Sequence, residues 1–215
     1  MLSLYTALLL SLFTPKTQVL SVPQTESVLE VSVLVRAKVY KVQEGGTVIR
    51  GVAGCSGTFV EEDAILTAAH CFSLPTTNVW VRGIDGISYE AVLAKIDPKK
   101  DLALLRLPDI EEGHKYAKLG HSTRVGEQVI SVGSPLRLEF LVSEGILARK
   151  GQTMEPFTGL YILHTSMINP GSSGGGAFNR KGELIGVNTL SVGGPFGWNG
   201  ISAAVDAQTI KEFLQ

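Results

Sequence analysis

The stretch Asn169-Pro-Gly-Ser-Ser-Gly-Gly-Gly176 sets two serines inside a turn made of proline and glycine. Glycine carries no Cβ, so the chain can bend sharply there, and a substrate carbonyl can come close to the backbone. A tight bend with no chemistry would use the same residues. Two other segments change the balance. Leu66-Thr-Ala-Ala-His-Cys71 places an imidazole among small side chains, and Asp101-Leu-Ala-Leu-Leu-Arg-Leu107 places an acid at the head of an apolar run. Alone, the first reads as a structural histidine and the second as a turn aspartate. Taken together they supply what a serine hydroxyl needs to become a nucleophile: a base to take its proton, and an acid to hold that base in one tautomer. His70, Asp101 and one of the two serines, Ser172 or Ser173, are therefore the candidate catalytic set.

Around these segments the chain is a succession of short β-branched runs. Val31, Val33 and Val35 alternate with Ser32, Leu34 and Arg36, and further strand-length runs lie at 79–82, 90–96, 102–107, 128–132 and 183–187. Turn signals separate them at Glu44-Gly-Gly, Asp85-Gly, Asp97-Pro, Val125-Gly, Arg180-Lys-Gly and the glycine-rich residues 193–200. The pattern predicts an all-β barrel or sandwich. Only one helix is expected, at the end, where Asp206 caps a segment with Ile210, Phe213 and Leu214 on one face. With no repeat or linker, a division into two lobes falls in the polar stretch 108–119, giving a first lobe at about 28–112 and a second at about 113–215.

Composition narrows the function. The 19 Lys+Arg nearly balance 20 Asp+Glu, which gives no reason to expect a nucleic-acid partner. Residues 2–13 carry no charge, the length of a signal-peptide core and too short to span a bilayer. Residues 1–25 are accordingly expected to be an export signal, and the protein secreted or extracytoplasmic. His114, His121 and His164 have no ligand-like spacing to Cys or carboxylates, so neither a metal nor another cofactor is expected.

The three segments resemble the histidine, aspartate and serine motifs of the trypsin-like serine peptidases, in the chain order His, Asp, Ser. Within that group Ile168-Asn-Pro-Gly-Ser-Ser-Gly-Gly, Gly182-Glu-Leu-Ile-Gly-Val-Asn-Thr and Val125-Gly-Glu-Gln-Val-Ile-Ser-Val-Gly-Ser-Pro are most similar to the HtrA/Deg branch. The resemblance spans about residues 28–214. It implies two antiparallel six-stranded β-barrels and a C-terminal helix, with His70 and Asp101 from the first barrel and Ser173 from the second. It also implies a serine endopeptidase acting on protein or peptide substrates, with Gly171 and Ser173 N–H groups as the oxyanion hole. Ser173, not Ser172, fits the Gly-x-Ser-Gly-Gly pattern.

By position relative to Ser173, the resemblance puts Met167 and Ile168 near the base of the primary pocket. Leu190, Ser191 and Val192 then form the strand that pairs with substrate. None of these is acidic, so cleavage is expected after small or medium apolar residues rather than Lys or Arg. Phe196 and Trp198, in the loop 193–198, either rim this pocket or pack the lobe. Cys55 and Cys71 match a disulfide of trypsin-like relatives that HtrA/Deg members usually lack. Closing that short loop would contribute about 3 kcal/mol. Ser172 stands where zymogen-type relatives carry an aspartate, so a cleavage-triggered ion pair is not expected. Nor are a PDZ module and the trimer of that branch, which leaves a monomer. The alternatives are a non-catalytic binding protein on the same fold and an esterase using the same triad.

Overall fold

The computed structural model describes residues 22–42, 48–108, 110, 113–121, 124–194 and 197–215. The expected export segment lies almost wholly outside them, as do the Glu44-Gly-Gly turn, Phe196 and the side chain of Trp198. Twelve strands form two closed antiparallel barrels. The first contains β1 (Ser32–Val42), β2 (Val48–Phe59), β3 (Ala64–Thr67), β4 (Thr76–Arg82), β5 (Ser88–Asp97) and β6 (Leu102–Arg106), in the spatial order β1-β2-β3-β6-β5-β4. The second contains β7 (Gln128–Gly133), β8 (Leu141–Gln152), β9 (Tyr161–His164), β10 (Gly176–Phe178), β11 (Leu184–Gly194) and β12 (Gly197–Asp206), ordered β10-β11-β12-β9-β8-β7. Closure gives every strand a neighbour on each side, which suits many short strands with few helices to cover them.

Alternation fills each barrel. Val33, Val35, Ile65, Val79, Val81 and Leu105 meet inside the first, and Val129, Leu147, Ile162 and Ile185 inside the second. The largest cluster lies between them: Leu66, Leu102 and Leu104 of the first barrel pack against Ile130, Val132, Tyr161, Phe178 and Val205 of the second. This seam explains why the strand after Asp101 reads as an unbroken apolar run. Its alternate residues face the barrel interior and the neighbouring barrel, so both faces are buried. Each leucine fully buried in this way stabilises the fold by roughly 1.5–3 kcal/mol. β2 contains Gly51, Gly54 and Gly57, a composition that hid it from a strand pattern. At Gly57 a Cβ would come within 2.7 Å of the Ile65 side chain, so only glycine fits.

One helix was not anticipated. α1 (Val22–Glu30) precedes β1, although the sequence points to helix only at the end of the chain. Its nine residues are too few for a clear apolar period, and docking decides the conformation. Val28 is fully buried in the seam cluster, Ser32 Oγ donates to the Val28 carbonyl at 2.6 Å, and Gln24 donates to the Arg180 carbonyl of the second barrel. The C-terminal helix α2 (Ala207–Leu214) starts as expected, with the Asp206 side chain accepting from Gln208 N. Ile210 and Phe213 are buried, but Leu214 is exposed, so the apolar stripe is one residue narrower than the sequence suggests.

Candidate active site

His70 and Asp101 come from the ends of adjacent strands of the first barrel. His70 sits in a short 3-10 turn, Ala69–Phe72, after β3, and Asp101 ends the turn that enters β6. Pairing of β3 with β6 sets Thr67 opposite Ala103, which brings the two residues together. The carboxylate lies 2.9 Å and 3.0 Å from His70 Nδ1 and also accepts from the His70 backbone N–H at 2.9 Å. With the carboxylate on Nδ1, that nitrogen carries the proton and Nε2 is left as the basic atom. Asp101 is 1% exposed, and its φ of 54° is left-handed, a strained conformation held by surrounding contacts. Cys55 of β2 and Cys71 beside His70 form a disulfide, their Cα atoms 6.4 Å apart.

Ser173 lies in the turn before β10. The turn is stitched to both barrels: Ser56 N donates to the Ser173 carbonyl at 2.8 Å, and Gly174 N donates to the Asn188 carbonyl at 2.7 Å. Ser172 is buried, with its Oγ accepting from Asn169 N, whereas Ser173 is half-buried. That difference separates the two serines physically. Ser173 Oγ donates to the Thr189 carbonyl at 3.4 Å and makes no hydrogen bond to His70 among the described residues. Gly171 has φ 105°, and a Cβ there would strike the Ser134 carbonyl at 2.6 Å. Neither Gly171 N–H nor Ser173 N–H donates to another described backbone group.

The remaining expected residues are distributed as follows. Ile168 is buried and Met167 exposed, its carbonyl accepting from Ser143 Oγ at 2.8 Å. Leu190, Ser191 and Val192 pair with β12 along one edge, while β10 pairs with β11 only up to Val187. His114 stacks on Phe59 and meets Tyr89 edge-on, His121 is exposed, and His164 is buried against Asn188.

The known-family comparison matches the trypsin-like peptidase domain over residues 55–187, a span holding His70, Asp101 and Ser173. The chain belongs to that family. The probable periplasmic serine endoprotease DegP-like of Pseudomonas putida is 36% identical over 156 residues, covering 70% of this chain and 32% of the relative. Serine protease HTRA1A of Danio rerio is 36% identical over 193 residues, covering 84% of this chain and 37% of the relative. The chain thus spans about one third of the length of the curated relatives it matches. An HtrA-type protease solved with a decapeptide superposes with a TM-score of 0.78 at 22% identity, covering 89% of this chain and 68% of that one. A second, with a tripeptide, gives 0.76 at 23%, covering 89% and 61%. The HtrA/Deg likeness seen in residues 125–135 and 168–189 is the likeness these comparisons find.

Two residues of this trypsin-like site escaped the sequence. Thr189 Oγ1 donates to Asp101 Oδ2 while its carbonyl accepts from Ser173, so it touches both the acid and the serine. Ser56 joins the turn to its surroundings: its Oγ donates to the Gly171 carbonyl at 2.8 Å and accepts from Ser134 N at 2.8 Å. Both lie outside the strand-length runs picked out in the sequence, Ser56 in the glycine-containing β2 and Thr189 beyond the run 183–187, and a lone Thr or Ser there carries no local signal.

Proposed function

We propose that the chain is a serine endopeptidase that works through an acyl-enzyme, with Ser173 as nucleophile, His70 as base and Asp101 as the acid that orients it. The observation that carries this is the buried Asp101 carboxylate, shared between His70 Nδ1 and Thr189 Oγ1, whose carbonyl in turn holds Ser173 Oγ. Rotation about the Ser173 Cα–Cβ bond transfers the hydroxyl from Thr189 to His70 Nε2 when substrate arrives. Ser173 Oγ then bonds to the substrate carbonyl carbon as its proton passes to Nε2. The negative oxygen of the tetrahedral intermediate is held by the N–H groups of Gly171 and Ser173, a donor of this kind being worth about 2.7–4 kcal/mol. Collapse breaks the C–N bond, and the imidazolium gives its proton to the leaving amine. Water, activated by His70, attacks the acyl-enzyme in the same way and releases the acid.

The unpaired edge of β11 at residues 190–192 suits an extended peptide added as a further strand. Met167 and Ile168 carry no charge, which supports cleavage after small or medium apolar residues. The disulfide, together with the periplasmic relatives, supports an extracytoplasmic site of action, with residues 1–25 as export signal. No helix among the described residues is long and apolar enough to cross a membrane. A binding module on the same fold is favoured by one observation, the Ser173 hydroxyl bonded to Thr189 rather than His70.

The test is labelling of the purified protein by a fluorophosphonate probe, with Ser173→Ala and Ser172→Ala as controls. Labelling lost only in Ser173→Ala supports the endopeptidase, and cleavage of a peptide library then separates it from an esterase. Folded wild type that takes no label favours the binding module.

A further inference from the structure

The loop joining β7 to β8, residues 134–140, lies directly on the proposed oxyanion site. Leu136 N donates to the Pro170 carbonyl at 3.0 Å. A trans peptide is planar, with its C=O and N–H pointing in opposite directions. Tying the Pro170 oxygen to Leu136 therefore aims the Gly171 N–H away from the loop. The loop does not hold this shape on intrinsic preference. Leu136 (φ 52°) and Phe140 (φ 54°) are both left-handed, a conformation disfavoured for residues with a Cβ. Inside the loop, Phe140 N donates to Ser134 Oγ at 3.2 Å and Leu138 N donates to the Pro135 carbonyl at 2.7 Å.

From outside, the loop is anchored by charge. Glu139 Oε1 lies 3.4 Å from Arg36 of β1, and Glu139 Oε2 pairs with Arg82 of β4. One carboxylate of the second barrel is thus divided between two guanidinium groups on adjacent strands of the first. We propose that Glu139, gripped by Arg36 and Arg82, is a positioning residue that holds the loop 134–140 and, through Leu136, keeps the Gly171 N–H in its oxyanion-binding orientation. This rests on the endopeptidase reading of the site. All three side chains are at least one-third exposed, so the grip is open to screening by salt. Because Gly171 N–H acts in the transition state, releasing the loop lowers kcat and leaves KM nearly unchanged.

The experiment uses the purified full chain with a cleavable fluorogenic peptide and the fluorophosphonate probe at low and high sodium chloride. Wild type is expected to lose roughly fivefold in kcat and in labelling rate at high salt, the upper range for partly exposed ion pairs. Glu139→Gln and the Arg36→Gln/Arg82→Gln pair are expected to show the reduced rate at both salt levels, with unchanged melting temperature. Glu139→Arg combined with Arg36→Glu and Arg82→Glu is expected to restore the rate at low salt. Wild-type kcat in Glu139→Gln, or a change confined to KM, overturns the proposal while leaving the triad intact. If Glu139→Gln does not fold, a salt-independent wild type overturns it alone. A wild type that never labels removes the endopeptidase reading itself, and the clamp with it.

Discussion

His164 gives the molecule a built-in acid sensitivity that is separate from catalysis. It is fully buried in β9, with Nε2 3.1 Å from Asn188 Oδ1, and burial pushes its pKa down from 6.5 to about 4 against the opposing effect of that hydrogen bond. Asn188 Nδ2 donates to the Gly176 carbonyl, so the amide oxygen faces the imidazole, which donates from Nε2 as the neutral ring. Between pH 6.5 and 4 the unfolded chain binds a proton at this position that the folded chain refuses. Stability from His164 is therefore fully present above about pH 6.5, is lost as pH falls, and changes no further below about pH 4. The whole loss is about 3 kcal/mol, of which about 2 kcal/mol falls between pH 7.5 and pH 5. That is a large share of the roughly 5–15 kcal/mol that holds a domain folded. Urea unfolding of Ser173→Ala, which lacks the proposed nucleophile, would be compared with Ser173→Ala/His164→Gln at both pH values. Glutamine keeps a donor toward Asn188 but does not titrate, and the carboxylates contribute equally to both proteins. The double variant should lose about 2 kcal/mol less than its parent on acidification. Identical losses would refute a neutral, buried His164.

Other perturbations reach the site directly. Thr189→Val keeps the shape but removes the hydroxyl that donates to buried Asp101; kcat/KM on a fluorogenic peptide should drop about tenfold or more, since hydrogen bonds to charged groups are worth about 1.5–3 kcal/mol. Gly171→Ala places a Cβ 2.6 Å from the Ser134 carbonyl at a φ of 105°, and single-turnover acylation should slow by about two orders of magnitude as the oxyanion turn is displaced. Replacing Cys55 and Cys71 together by alanine should lower the urea-derived stability by about 3 kcal/mol, with wild type treated with reductant behaving alike.

Much of this was legible in the chain because the decisive features are local. Small residues before His70, an acid heading the apolar run at 102–105 and glycines around Ser173 each state a backbone requirement within a few positions. Short β-branched and apolar runs exposed most strands, including β6 and β7 that are buried on both faces, and missed β2, where glycines admit a neighbour, and the four-residue β3. α1 was hidden for a related reason, because its helicity comes from docking Val28 in the seam rather than from its own nine residues. What the sequence by itself determined is the β-rich scaffold and which groups are candidates for chemistry, since residue type and short-range spacing carry both. Only the tertiary structure decided that Thr189 bridges acid and serine, that Ser56 braces the turn, and that Glu139 divides its charge between Arg36 and Arg82. Those contacts join residues far apart in the chain, and whether they meet depends on how one closed barrel settles against another.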